Sequence, residues 1–191
     1  MSELSLQRFT SRLSVSPPPA RRLGQRRAAV AAVLRFDRDA AELLLMRRAE
    51  RAGDRWSGQV SLPGGREEAA DADLVSTAIR ETREELGIDL ATAALLGTLP
   101  SSHAIARGKL LPMTITPFVF HLAAPQPIRL GPEAEASFWL PLDPAARGEL
   151  DADYQYQLGP FSRRFPSFRH QGEVVWGLTY QILQSLLRQV R

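Results

Sequence analysis

"LPGGREEAADADLVSTAIRETREELGIDL" occupies Leu62 to Leu90. A Pro-Gly-Gly turn opens it, Asp73 stands where a helix cap would sit, and Gly87 stands where a helix would stop. The spacing predicts a helix from Asp73 to about Leu86. At ~100° per residue, Val75, Ala78, Ile79, Thr82 and Leu86 share one narrow face, the one to be buried. Glu81, Glu84 and Glu85 fall in one ~100° arc beside it. Like charges at that spacing weaken a helix, and three carboxylates so close stay ionised only with positive charge among them. Hard divalent cations take carboxylate and backbone carbonyl oxygens alike. The patch therefore reads as a magnesium or manganese site on a helix, completed by a carbonyl of the glycine loop. The same residues also fit a solvated acidic face laced with Arg–Glu pairs, in which Arg80 braces Glu84 four positions on. The preceding glycines, the acids Glu68 and Asp71, and the closing Leu-Gly-Ile weigh against that plainer alternative.

Outward from the helix, "RRAAVAAVLRF" (Arg26 to Phe36) reads as a buried strand and "AELLLMRR" (Ala41 to Arg48) as its hairpin partner. "QVSLPGG" is a short strand entering the glycine turn. "LLGTLP", "MTITPFVFHL" and "ASFWLPL" read as further strands. "EVVWGLTY" reads as a last strand feeding a C-terminal helix, "TYQILQSLLRQV". Leu4, Leu6, Phe9 and Leu13 suit a short amphipathic N-terminal helix, which "SPPPARR" breaks. The expectation is an N-terminal helix and Pro-rich linker over residues 1–25. One α/β domain over residues 26–191 follows, with a mixed sheet and helices on both sides. Trp139 and Trp176 sit in apolar runs and read as core.

Bulk properties narrow the function classes. With no cysteine among 191 residues, disulfides and thiolate zinc sites are excluded. No apolar run approaches the ~20 residues of a membrane span, and the N-terminal stretch lacks the apolar core of a signal peptide. A cytoplasmic protein is expected. The net charge is +3 and nearly all of the positive charge is arginine, with Lys109 the one lysine. Guanidinium forks match phosphate geometry, yet no arginine block is long enough or interleaved with enough aromatics to argue for nucleic-acid binding.

Gly65, the acid at Asp71, and "RETREELGI" (Arg80 to Ile88) together resemble the Nudix box. That pattern is a glycine, five residues, a glutamate, seven residues, then Arg-Glu-apolar-any-Glu-Glu-any-Gly-apolar. The chain departs from it in having Asp71 for the middle acid, eight residues before Arg80, and Thr82 at the apolar position. The extra residue is similar to the Nudix subgroup that hydrolyses coenzyme A, whose box begins "PGGXXDXXD"; Glu68 and Asp71 stand at those two acids. Upstream, "LLMRRAERAGDRWSGQVSLPGG" (Leu44 to Gly65) resembles that subgroup's LLTXR[SA]XXXRXXXGXXXFPGG signature. Here Leu62 replaces Phe, and one extra residue leaves Arg51 or Arg55 to serve as the internal arginine. The resemblance covers roughly residues 28 to 188.

The resemblance implies a Nudix-type α/β/α sandwich and metal-dependent hydrolysis of a diphosphate linkage in a small nucleotide-derived substrate. Coenzyme A or acyl-coenzyme A would yield 3',5'-ADP and (acyl-)4'-phosphopantetheine. Another nucleoside diphosphate derivative or a (d)NTP is the alternative within the class, and a non-catalytic nucleotide-binding module is the alternative outside it. The module is disfavoured because all three box glutamates are present. By the same resemblance, Glu84, Glu85 and the carbonyl of Gly64 or Gly65 hold Mg2+ or Mn2+, and Glu81 either ligates as well or orients the water. Arg80 and a distal acid, Glu133 with Glu135 in reserve, complete the catalytic set. Arg48, Arg55, Trp56, His103, Arg107 and Lys109 are the substrate-binding candidates. Trp56 would stack on a base or simply pack; His103, Arg107 and Lys109 would touch phosphate or lie in a solvated turn. Phe161, Phe165 and Phe168, with Arg163, Arg164 and Arg169, form an aromatic-basic segment suited to cover substrate or a second copy of the chain, so a homodimer is also considered.

Overall fold

The order of elements begins with the short helix α1 (Leu6–Arg12), then β1 (Arg26–Asp37) and β2 (Ala40–Arg48). Two short strands follow, β3 (Val60–Ser61) and β4 (Gly64–Arg66), and then α2 (Leu74–Leu86). Next come β5 (Ala94–Thr98), β6 (Ser102–Ala106), the long β7 (Lys109–His121), β8 (Ala134–Pro141) and α3 (Leu142–Ala146). A hairpin of β9 (Asp151–Leu158) and β10 (Phe161–His170) leads through β11 (Glu173–Trp176) to α4 (Gly177–Val190). The computed structural model describes residues 4–20, 24–37, 40–51, 56–106, 109–158 and 161–191.

β1 is the axis of the larger sheet. It runs antiparallel to β2 from Leu34↔Leu43 to Asp37↔Ala40, the expected hairpin, and parallel to β7 from Arg26↔Met113 to Leu34↔His121. Its N-terminal half also pairs with β4, Val30 opposite Gly64 and Ala29 opposite Gly65. A strand in the middle of a parallel pairing is covered on both faces, which explains its continuous apolar run. Alternation then sorts the side chains. Ala29, Ala31 and Val33 join a cluster with Leu74, Ala78 and Leu86 of α2. Ala32 and Leu34 join the opposite cluster, with Phe9 of α1 and Leu183, Leu186 and Leu187 of α4. The mixed sheet thus lies between helices, in the α/β/α arrangement that the resemblance implies. Seven residues make α1 too short to stand alone; burial of Phe9, worth about 1.5–3 kcal/mol, holds it on the sheet.

The structure differs from the sequence expectations at the C-terminal end. "SFRH" and its upstream neighbours are strand β10, paired along its length with β9 in a second, three-stranded sheet. Helix α4 starts at Gly177, two residues ahead of the expected Thr179, so Gly177 and Leu178 belong to the helix and not to the strand. Trp176 is not core: it stands half-buried against Tyr154, Tyr156 and Phe165 on the outer face of that second sheet. Trp139 is half-buried, with the Arg35 guanidinium 4.1 Å above its ring. Among the described residues, no helix is long and apolar enough to cross a membrane.

Candidate active site

Helix α2 is fixed at both ends. The Asp73 carboxylate accepts from Ser76 N–H at 2.7 Å, and Gly87 closes the helix in a left-handed conformation, φ 68°. Thr82 occupies a fully buried position of the helix and satisfies its hydroxyl by donating to the Ala78 carbonyl at 2.7 Å. Such back-bonding is how a polar residue fills an apolar slot. Two backbone donors from the distal loop, Arg129 N–H to Leu86 O and Gly131 N–H to Glu85 O, both 2.8 Å, cover the carbonyls at the C-terminal end. Those bonds tether the start of β8, and with it Glu133, to the end of the acidic helix.

The box glutamates differ sharply in environment. Glu85 is 2% exposed. One of its oxygens accepts from Gly64 N–H at 2.8 Å; the other is buried with no hydrogen bond and lies 3.7 Å from Arg48. Burial pushes the Glu85 carboxyl up to about 8, helped by the charges of Glu81 and Glu133 and opposed by the Gly64 N–H and Arg48. Glu81 is also raised, by burial first, although the Arg80 guanidinium offsets part of it. Its carboxylate lies so close over Gly65 that a Cβ there would overlap it. Glu84 is more open, with its side chain 58% exposed and an oxygen 3.2 Å from Arg80.

Arg80 ties the box together. Its Nε and Nη2 form a fork on Asp71, both at 3.0 Å, while Nη1 reaches Glu81 at 3.0 Å and Glu84 at 3.2 Å. Nη2 also donates to the Arg66 carbonyl at 3.1 Å. With every donor of the fork engaged, Arg80 fixes acids in place. Asp71 is its anchor and is held well below the usual carboxylate range by that hydrogen bonding. The Thr77 hydroxyl and the Glu68 N–H also donate to Asp71. The residue that departs from the box pattern therefore buttresses the arginine from outside the glutamate cluster. That role could have been suspected from its acid character opposite an arginine, but not its geometry.

The two candidate distal acids separate at an irregularity in the β2–β8 pairing, where Arg47 stands opposite Ala136 and Arg48 opposite Ala134. Glu133 pairs with Arg51 at 3.0 Å and lies 3.8 Å from Arg48, the arginine that approaches Glu85. Glu135 instead pairs with Arg47 at 3.4 Å, together with Glu173. Arg47 and Arg48 are neighbours on β2 and project to opposite faces. Glu133 therefore shares the electrostatic field of Glu81 and Glu85, and Glu135 does not line it.

The substrate-binding candidates are only partly gathered. Arg48 is in the cluster, bridging Glu85 and Glu133. Trp56 packs half-buried against Ala28, Ala104, Met113 and Ile115, on the other side of β1 from α2. His103 is exposed on β6, opposite Thr114. Arg55 and Arg107 lie outside the described residues, as does the side chain of Lys109. Among the described residues, no three acids stand close enough together to hold a cation in this arrangement; arginines bridge them instead. The donor set nonetheless fits a hard divalent ion: carboxylate oxygens, one of them buried and orphaned on Glu85, beside the backbone of two glycines.

Comparison with known proteins agrees with this geometry. The NUDIX domain family matches residues 25–164. A relative from Enterobacter sp. (strain 638), the "Uncharacterized Nudix hydrolase NudL", is 31% identical over 98% of this chain and 96% of its own. The human "Mitochondrial coenzyme A diphosphatase NUDT8" is 33% identical over 84% of this chain and 68% of its own. Among solved structures, the NUDIX domain of Shewanella oneidensis NrtR complexed with ADP ribose superposes with a TM-score of 0.55, at 16% identity over 92% of both chains. A C. elegans Ap4A hydrolase binary complex gives 0.53, at 22% identity over 64% of this chain and 84% of its own. The fold, the three box glutamates and these matches agree: the chain belongs to the Nudix family of hydrolases acting on diphosphate linkages.

Proposed function

We propose that the chain hydrolyses the diphosphate bridge of coenzyme A, or of an acyl ester of it, to 3',5'-ADP and (acyl-)4'-phosphopantetheine, using Mg2+ or Mn2+. The observation that carries the hydrolytic reading is the buried oxygen of Glu85 that has no hydrogen bond, beside Glu81, in a site where both carboxyls resist ionisation without a cation. A bound divalent ion supplies charge neutralisation for the diphosphate and a bound water of lowered pKa. Glu81, Glu84, Glu85 and a carbonyl of Gly64 or Gly65 would hold it. Arg80 positions Glu81 and Glu84, and the Gly64 N–H orients Glu85. Glu133, linked to Glu85 through Arg48, would take a proton from the attacking water.

The coenzyme A assignment is supported by the upstream Leu44–Gly65 pattern and by similarity to a human protein named as a coenzyme A diphosphatase. The test is turnover of coenzyme A, dephospho-coenzyme A, ADP-ribose and a dNTP with each metal and with excess chelator, products being identified by mass. Coenzyme A should be cleaved at its diphosphate, with dephospho-coenzyme A at least ~10-fold poorer in kcat/KM. A lost charge-assisted contact to the 3'-phosphate, worth ~1.5–3 kcal/mol, sets that factor. Turnover in excess chelator would remove the metal from the mechanism. Cleavage of ADP-ribose or a dNTP with coenzyme A ignored would move the substrate within the family.

A further inference from the structure

Arg80 and Arg48 reach the box glutamates in different ways. Arg80 bonds Glu81 at 3.0 Å and Glu84 at 3.2 Å and is locked onto Asp71 by its fork. Arg48, the last residue of β2, stands 3.7 Å from Glu85 and 3.8 Å from Glu133. Both separations exceed a hydrogen bond. These two contacts are therefore electrostatic, with little of the directional preference that fixes Arg80.

The oxygen of Glu85 that faces Arg48 is the buried one with no hydrogen bond. A buried carboxylate is costly unless opposite charge stands beside it. Arg48 supplies that charge, from a side chain that is itself only 21% exposed. It stands between carboxylates of two separate elements, α2 and the loop before β8, and a hard cation takes oxygens converging in this way. A bound Mg2+ draws such oxygens in to about 2.1 Å. A guanidinium spreads its charge over a plane and cannot come so close. The two cannot serve the same face of Glu85 together. The surroundings allow an exchange. Arg51 holds Glu133 at 3.0 Å and the Pro132 carbonyl at 2.8 Å, so Glu133 keeps a partner when Arg48 withdraws. Backbone bonds from Arg48 N–H to Gln59 O, 3.0 Å, and from Ala49 N–H to Glu133 O, 2.9 Å, fix the end of the strand, so only the side chain has to move.

We propose that Arg48 is the internal counter-ion of the metal site: it compensates Glu85 in the metal-free chain and gives up that place when Mg2+ or Mn2+ binds. Arg48 thereby sets the affinity for metal and supports the fold without it, as a positioning residue. The inference rests on the reading of the box as a metal site, and not on the coenzyme A assignment.

The experiment uses the full-length protein stripped of metal, at pH 8 and with no substrate. Mn2+ is titrated in and the free ion read by electron paramagnetic resonance; thermal melts are run in chelator and in saturating Mn2+. Arg48→Met keeps an apolar stem and removes the charge. It should bind Mn2+ roughly 10-fold tighter than wild type. It should also melt lower in chelator, with the gap closing in saturating Mn2+. Arg48→Lys, which keeps the charge, should stay close to wild type in both. Glu85→Gln removes the charge that Arg48 compensates, so adding Arg48→Met to it should cost little further stability in chelator. That double variant also decides the matter if Arg48→Met alone does not fold without metal. Mn2+ binding by Arg48→Met that equals or falls below wild type overturns the inference while the metal site stands. A loss of stability that persists in the Glu85→Gln background overturns it too. A wild-type chain that takes up no Mn2+ removes the metal reading and the inference with it. A protein that binds Mn2+ as expected and ignores coenzyme A keeps the inference and loses only the coenzyme A assignment.

Discussion

The Gly64 N–H donates to one oxygen of Glu85 at 2.8 Å, while the other oxygen of that carboxylate is buried without a hydrogen bond. A single backbone donor therefore fixes the orientation of a group whose charge is otherwise poorly compensated. Arg48, 3.7 Å away, is the nearest cation. This half-satisfied state has direct consequences for stability.

Metal-free protein should lose stability as pH rises from about 4.5 to about 8. Glu85 is raised to about 8 in the folded chain, against 4.5 in the unfolded one. Below the lower value both states hold the proton and stability is full. Between the two values only the unfolded chain releases it, so folding weakens until the folded carboxyl also ionises. The loss is on the order of a few kcal/mol, several degrees in Tm. Mg2+ or Mn2+ should reverse it, more at pH 8 than at pH 5. Thermal melts across pH, with and without cation, provide the measurement; a flat metal-free profile contradicts it.

Replacing the charge tests the same group from the other side. Glu85→Gln keeps an amide oxygen for the Gly64 N–H and removes the ionisation. In chelator the variant should match wild type near pH 5, where Glu85 is protonated, and melt above it at pH 8. Turnover with saturating metal should fall about 10²- to 10³-fold, the scale of losing one strong electrostatic contact at the reacting centre. Wild-type turnover would make Glu85 a structural acid only.

Helix α2 was legible because its cap, stop and apolar stripe are local, and the acidic arc follows from those limits by geometry alone. Other parts of the site were hidden for identifiable reasons. That Glu133 and not Glu135 lies by the acidic helix follows from an irregularity in the β2–β8 register at Arg47 and Arg48, which only the pairing shows. The anchoring of Arg80 by Asp71 joins residues nine positions apart across a loop and a helix start. The β9–β10 hairpin does have a local signal, since Tyr154, Tyr156 and Leu158 alternate with Gln155 and Gln157 at the period of a half-buried strand. Only pairing shows that Tyr154, Tyr156, Phe165 and Trp176 meet on one surface.

The Asp71–Arg80 fork should act as a unit. Arg80→Lys cannot make two parallel bonds to Asp71 and still reach Glu81 and Glu84. It should cost about 1.5–3 kcal/mol, as should Asp71→Asn, each losing hydrogen bonds to a charged group. The double variant should be scarcely worse than either single one, a coupling that denaturant titration of all four proteins would quantify. Loss of this support should also lower activity about 10- to 100-fold. Fully additive losses would mean that the two residues act separately.

The paired glycines before the helix should separate folding from chemistry. At Gly64, φ is 149° and an added Cβ would press on the backbone of Ala29 and Val30, the latter at 2.6 Å. Neither can move without disturbing the β1–β4 pairing, so Gly64→Ala should lower Tm, by about 1–3 kcal/mol of strain or more. At Gly65 the three nearest atoms to an added Cβ all belong to the Glu81 carboxylate. That is the far end of a flexible side chain, which can swing aside at little cost to the fold. Gly65→Ala should therefore keep the wild-type Tm while displacing Glu81 from Arg80 and from its place beside Glu85. Activity should fall by about 10-fold or more, the scale expected when a positioned group moves by roughly an ångström. The deciding comparison is Tm and turnover measured on both variants. A fully active Gly65→Ala protein would show that the position of Glu81 over this glycine has no part in the reaction.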